Sequence, residues 1–418
     1  MKLRDTLEAL GIPEAEEQFS PDWDRLMRQM PDPIPFLEPE YVDWACSQAH
    51  LSPEMTLAAQ SAASRVVADP APRALAWYWH AKLFSAGEPR AVPRGWPLLT
   101  EAMGKDAGMF NVLVLLSGTP RVLEIHRERG IPQDVTEATI LDLRLQLETL
   151  DYSHEYGHWG ISPWILGWLL LHWRGDLVRL GRLQFATSTF GARLRAYRQR
   201  ETGEVVALSE SGVRYRSDGQ VDGAGGVFDA TGAWTSALEE GDEGIRGNPI
   251  TPWGDALAEP VVLPGKEWEQ ALAPGDPILD IHIPTGPPMD YDQCGESIRR
   301  ALDFFPKHFP DRPFVGFACY SWILDSQFEE LLPASSNLVR FQREVYLYPV
   351  ADGDGVVGTV FGRGLTPEDL PGFPRNTTMQ KAFAAHLESG GHFRGGGCFL
   401  LKEDVDWGSA CYRTHWPF

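Results

Sequence analysis

The five cysteines of this sequence, Cys46, Cys294, Cys319, Cys398 and Cys411, include no CxxC pair. Odd in number and scattered, they give neither a disulfide framework nor a cysteine zinc site. Positive charge is also scarce: 37 Lys and Arg stand against 58 Asp and Glu in 418 residues, a net charge of −21. Phosphate backbones and anionic lipids are held mainly through Lys and Arg, so nucleic acid and membrane are not expected partners, and an anionic ligand needs a local site. A cationic amine would suit the negative surface. The longest apolar run, ISPWILGWLLLHW at 161–173, is shorter than the roughly 20 residues that span a bilayer and reads as buried core. The start, MKLRDTLEALGIPEAEEQF, lacks the continuous apolar segment of a signal peptide, and the expectation is a cytoplasmic protein. No GxSxG elbow and no Walker A loop is present, and GAGG at 223–226 does not complete a GxGxxG.

What is present is a chain of 43% apolar content, long enough for two or three domains with well-buried cores. Residues 1–158 read as a helical domain: PEMTLAAQSAASRVVADP, PRALAWYWHAKLFSAG and GMFNVLVLLSGTPRVLEIHRERG are runs of helix formers punctuated by Pro and Gly. DVTEATILDLRLQLETLDYSHEYG continues in helix, with Asp134 and Glu137 as a capping box. The second domain, 159–418, changes to strands. LVRLGRLQFATS switches phase at Gly181 and Arg182, which predicts a β-bulge. RLRAYRQRETGEVVALSE predicts a hairpin turning at Thr202-Gly203. A Gly- and Pro-rich insertion follows at about 217–276 and reads as a long loop.

From residue 277 strands alternate with helices: PILDIHIP, CGESIRRALDFF, PFVGFACYSWIL, VYLYPV, TMQKAFAAHLES and GGGCFLLK. The expected fold class is therefore α plus α/β, a helical domain followed by a mixed sheet with flanking helices. Thr377 and Gln380 form a capping box that opens the last long helix.

HEYGH at 154–158 spells HExxH, in which two histidines one helical turn apart hold zinc and the glutamate acts as base. Gly157, Gly160 and Pro163 crowd its end, where a helix stops, and no third ligand is nominated. The expected reading is a helix exit at a domain boundary, with no metal; a zinc metallopeptidase stands third among the functions. Cys294 and Cys319 fall on apolar faces and read as buried structural thiols. His282, in a strand that runs into a loop and a helix start, is the stronger candidate for chemistry. The helix start after TGPPMDYDQ could hold a pyrophosphate on backbone N–H groups, or have them satisfied by Asp290 and Asp292 as caps.

LSGTPRVLEIHRERGIPQDV, HWGI, LVRLGRLQF, LDIHIPTGPP, CYSWILD, LLPASSNLVRFQ and GGGCFLL, taken in order over residues 20–402, resemble a bacterial acyltransferase-like family with a helical N-terminal domain and a GNAT-like C-terminal domain. The resemblance implies a GNAT-like sheet with PILDIHIP as the central strand, PFVGFACYSWIL as its splayed neighbour, and acyl-CoA or acetyl-CoA as co-substrate between them. Such enzymes carry Gln/Arg-x-x-Gly-x-Gly/Ala where the central strand meets its helix. The aligned residues here run from Asp292 to Ser297, so that Gly295 and Ser297 fit and Asp292 puts a negative charge in place of a donor. By resemblance, the donor contacts are Ile281, Ile283, Thr285, Gly286, Gln293, Gly295 and Ser297, with Tyr320 as general acid and His282 or a water as base. The implied function is acyl transfer to an amine acceptor. A non-catalytic binding protein that has lost the phosphate cradle is the alternative, favoured by Asp292. Neither the acceptor nor the oligomeric state follows from the sequence.

Overall fold

The computed structural model describes residues 2–85, 96–149, 158–284, 286–351, 355–362 and 364–418. The chain forms two compact units, Met1–Leu180 with Pro284–Pro287, and Gly181–Ile283 with Pro288–Phe418.

The first unit is built on helices α1 (Pro53–Ala68), α2 (Pro70–Phe84), α3 (Ala107–Leu116), α4 (Thr119–Glu128), α5 (Gln133–Ile140), α6 (Asp142–Thr149) and α7 (Pro163–Trp173). Three of them start alike. Ser52, Asp69 and Ser162 each accept a backbone N–H of the first turn, and a proline follows each cap, where its fixed φ suits the helix and its missing N–H costs nothing. Every residue of α3 is buried, as expected of a central helix with no polar face. Its Asn111 accepts the Trp96 indole N–H at 2.8 Å and donates to the Ile161 carbonyl at 2.9 Å, so the amide on this apolar helix is satisfied. α7 is the apolar run 161–173, and its buried His172 lies 3.4 Å from the buried Asp142 at the start of α6.

Two expectations change here. The capping box at Asp134 and Glu137 does not form: Pro132 is the cap residue, and Glu137 instead accepts from the Gln133 side chain. The proposed boundary at 158/159 differs from the division at Leu180/Gly181, because α7 and the strand Leu177–Leu180 belong to the helical unit. Of HEYGH only His158, which is exposed, lies within the described residues.

The second unit centres on strands β1 (Leu183–Thr189), β4 (Pro277–His282), β5 (Gly316–Ser321), β6 (Tyr346–Pro349) and β7 (Gly396–Leu401), with β2 (Leu194–Gln199) and β3 (Val205–Ser209) in a smaller sheet. Within this unit the large sheet runs β1-β4-β5-β7-β6. Only the β4/β5 pair is parallel; β4/β1, β5/β7 and β6/β7 are antiparallel. Helix α8 (Tyr291–His308) makes the parallel crossover. It buries Cys294, Ile298, Ala301 and Phe305 at i, i+4, i+7 and i+11, one stripe facing the sheet, with the Phe305 ring 6.3 Å from Phe185 of β1. Helix α9 (Thr378–Glu388) opens with the expected capping box, Thr377 accepting from Gln380 N and Gln380 returning to the cap.

The predicted hairpin is β2 and β3, antiparallel, with Gly203 at φ +78° in the turn. The predicted bulge at Gly181 and Arg182 is instead a turn that ends the strand Leu177–Leu180 and begins β1, with Gly181 at φ +70°. The insertion is not one long loop. It contributes short strands: Leu238–Gly241, Gly244–Gly247 and Val261–Leu263 form a separate sheet, while Pro249–Ile250 and Trp268–Leu272 flank the β2/β3 hairpin. Short strands joined by glycine turns have the composition of a loop, which is why the sequence conceals them.

Candidate active site

The pairing of the two parallel strands fixes where the site opens. β4 pairs with β1 along its whole length, from Pro277↔Thr189 to His282↔Gln184. β5 likewise pairs with β7 from Gly316↔Leu401 to Ser321↔Gly396. Between β4 and β5, however, the ladder holds only from Ile278↔Gly316 to Asp280↔Ala318. Both strands run on, each with its outer neighbour, while their facing edges part. The result is a wedge at the carboxyl ends of two parallel strands, where open α/β sheets receive ligands.

Strand alternation assigns the side chains beside the wedge. Leu279 and Ile281 are buried with Phe317 on the face that α8 covers. Asp280 and His282 take the other phase. There the Asp280 Oδ2 lies 3.2 Å from the His282 Nε2, and both side chains are about one-third exposed. Asp280 and Tyr320 also line a cavity of about 630 Å³ on this face. Its far wall is the loop after β1, Phe190 to Arg193, together with Gly212–Tyr215, Val221 and Asp222. Its floor includes Ile278, Ala318 and Tyr348, all buried.

The floor depends on one glycine. Tyr348 of β6 is opposite Gly397 of β7, which in turn is opposite Tyr320 of β5. A Cβ at Gly397 would sit inside the Tyr348 ring; lacking one, Gly397 lets that ring lie flat across β7 toward Tyr320. Burial holds the Tyr348 hydroxyl well above its ordinary range, with the neighbouring Cys398, Cys319, Asp280 and Tyr320 adding to the effect. It stays a neutral phenol. Cys319, also on the cavity wall, is raised by burial, then by Cys398 and Asp280, and a thiol so held is not a nucleophile.

The residues aligned to a phosphate cradle are occupied otherwise. Gly295 packs against the Trp407 indole so closely that a Cβ would overlap it, and the indole N–H is fixed on the Tyr291 carbonyl at 3.1 Å. Ser297 is buried. Its Oγ accepts from Arg182 N at 2.9 Å and Leu183 N at 3.4 Å while donating to the Gln293 carbonyl, so it ties the start of β1 to α8. Gln293 N donates to the Asp290 cap at 2.9 Å. Asp292 is not a cap: it lies exposed, 3.8 Å from Arg340, whose guanidinium stacks 3.7 Å above the Tyr291 ring. Burial and then Glu344, which accepts the Tyr291 hydroxyl at 2.8 Å, push Tyr291 up to about 12.

The sequence-derived residues thus divide. His282 and Tyr320 lie on the cavity-facing side of the sheet; Ile281 points to the α8 side, and Ile283 lies just beyond the strand. Gln293 is exposed at the start of α8 with its N–H on the Asp290 cap, whereas Gly295 and Ser297 are buried in the packing of that helix. Gly286 is exposed at φ +134° with open space where a Cβ would be. Thr285 lies outside the described residues. Asp280 was not singled out from the sequence, although the alternation in LDIHI already put it on the face of His282.

Comparison with known proteins agrees with this architecture. Residues 177–400 match the GNAT-like C-terminal domain. The chain belongs to that family. Residues 41–175 match the N-acyltransferase N-terminal domain, so the change of family domain falls at the end of the helical unit. No protein in the curated comparison matches. Among solved structures, an acyltransferase in complex with decanoyl-CoA and teicoplanin is 24% identical, with a TM-score of 0.60, over 96% of this chain and 99% of that chain. A mutant acyltransferase in complex with octanoyl-CoA gives 24% identity and a TM-score of 0.59 over the same shares. An acyltransferase with decanoyl-CoA alone gives 21% and 0.60. These acyltransferase structures share the fold of this chain over 96% of its length.

Proposed function

We propose that the protein is an N-acyltransferase that moves an acyl group from acyl-CoA to the amine of a small-molecule acceptor. The observation that carries this reading is the parting of β4 from β5 beyond Asp280 and Ala318, which gives a thioester a slot between two backbone edges. The similar acyltransferase structures in complex with octanoyl-CoA or decanoyl-CoA support the choice of donor.

In this reading a backbone N–H at the wedge polarises the thioester carbonyl. The amine nitrogen attacks that carbon, the N–C bond forms and the C–S bond breaks. With Nε2–H directed at Asp280, His282 takes the amine proton on Nδ1, and Asp280 stabilises the imidazolium. Tyr320, at the end of β5 and 55% exposed, donates to the departing thiolate. Gly295 and Ser297, held in the packing of α8, carry no pyrophosphate in this reading.

Calorimetry with acetyl-, octanoyl- and decanoyl-CoA, followed by thiol-release assays with primary amines, tests the reading. Donor binding and amine-dependent release of CoA are expected; absence of binding to all three donors overturns it. The engagement of Gly295 and Ser297 in packing favours one alternative, a non-catalytic binding protein that has lost the phosphate cradle. Absence of binding to all three donors would select it.

A further inference from the structure

Resting on the acyl-transfer reading, we infer that the 630 Å³ cavity beside the wedge is the acceptor site, and that it takes a primary amine carried on a compact apolar or aromatic body. The argument begins with the base. His282 and Asp280 share the strand phase opposite α8, and Asp280 reaches the cavity wall. An amine that gives its proton to His282 therefore approaches the thioester from this face, and the rest of the acceptor lies in the cavity.

The walls decide the chemistry of that body. Phe190 and Tyr348 meet edge to face at 6.2 Å, and Tyr215 and Tyr320 add two more rings to the lining. The polar groups on the insertion side are already engaged. The Tyr215 hydroxyl is 2.8 Å from Ser209 Oγ, Arg214 is paired with Asp222 at 2.8 Å, and Arg193 donates to the Ser211 carbonyl at 2.7 Å. A ligand rich in hydroxyls would exchange water for walls that offer it few partners. The Asp280 carboxylate and the tyrosine faces favour an ammonium instead. The cavity falls within the roughly 300–1,000 Å³ of sites for small organic ligands, so the amine enters whole.

The test uses the full chain with octanoyl-CoA as donor and 2-phenylethylamine, butylamine and glucosamine as acceptors. CoA release is followed together with direct calorimetry of 2-phenylethylamine in the absence of donor. The KM for 2-phenylethylamine should lie at least tenfold below that for glucosamine. Ala192→Trp, which fills the cavity from its covering loop, should raise the 2-phenylethylamine KM at least tenfold and leave the donor KM unchanged. Ala351→Trp, at an exposed lining position, repeats the test should the first variant fail to fold. Loss of octanoyl-CoA with retention of acetyl-CoA in these variants, the amine preference unchanged, would show that the cavity holds the acyl chain and overturn the inference. Equal use of all three amines by the native protein overturns it as well. The calorimetric arm separates the two readings. Binding of 2-phenylethylamine that the tryptophan variants abolish supports the site even if no donor is consumed, whereas turnover without such discrimination sustains acyl transfer and rejects this site.

Discussion

Asp280 and His282 stand two residues apart on β4, and their side chains meet at 3.2 Å on the face that borders the cavity. A carboxylate in that place fixes which ring nitrogen of the histidine carries the proton and steadies the charge formed when the other accepts one. The pair is the natural target for the first experiment. Asp280→Asn, close to isosteric, should lower kcat by about 10²-fold, the lower end of general-base contributions, with the KM for the acyl donor unchanged. His282→Ala should fall at least as far and recover in part with added imidazole. Equal donor KM and unchanged kcat in both variants would remove the pair from the mechanism.

Gly295 and Ser297 give a prediction that separates packing from phosphate binding. Gly295→Ala drives a methyl group into Trp407 and should cost about 1–3 kcal/mol, the usual range for overpacking. Ser297→Ala strips the buried N–H groups of Arg182 and Leu183 of their acceptor and should cost a similar 1–3 kcal/mol. Urea unfolding measures both. Donor affinity of the folded variants should stay at the native level, and a selective loss of it with full stability would return these residues to the cradle.

The cysteines should be silent. Burial raises Cys319 and Cys398 well above the ordinary thiol range and pushes Cys294 up to about 12. At pH 8 these three thiols stay protonated and covered. Iodoacetamide followed by peptide mass spectrometry should leave all three unlabelled in the native protein and label them after unfolding in urea. Rapid native labelling of Cys319 with loss of activity would reopen a covalent route.

Acid should weaken the helical unit before carboxylates alone would. Burial lowers His80 to about 4, and burial followed by the charge of His172 lowers His126 to about 4. Both are depressed relative to the unfolded value near 6.5. The unfolded chain therefore binds protons first as pH falls, and the stability held by the neutral rings is full above about 6.5 and lost progressively towards 4. Each ring contributes roughly 3 kcal/mol over that window, from about 1.4 kcal/mol per pKa unit. Replacing His126 with Gln should flatten the fall in melting temperature between pH 6.5 and 4; an unaltered slope would assign the transition to other groups.

Much of the second unit was legible because its signals are local. The Thr377 cap and the glycine turn at 203 each depend on residues a few positions apart. The insertion was not legible, since its strands are two to five residues long and take their order from distant partners. The turn at Gly181 was taken for a bulge for a related reason. A left-handed glycine suits a G1 bulge and a turn alike, and the Ser297 hydroxyl that accepts from Arg182 N in the turn lies more than a hundred residues away.

Taken alone, the sequence determined the helical unit, the strand and helix order from residue 277, and the phase that puts Asp280 beside His282. These follow from periodicity and capping, which act within one or two turns of chain. Tertiary structure decided where β4 leaves β5, which face holds the cavity, and that Gly295 and Ser297 serve Trp407 and Arg182. Those outcomes depend on register and on contacts between residues remote in the chain. A glycine at a family position has the same letter whether it faces a phosphate or an indole, and only its neighbours in space distinguish the two.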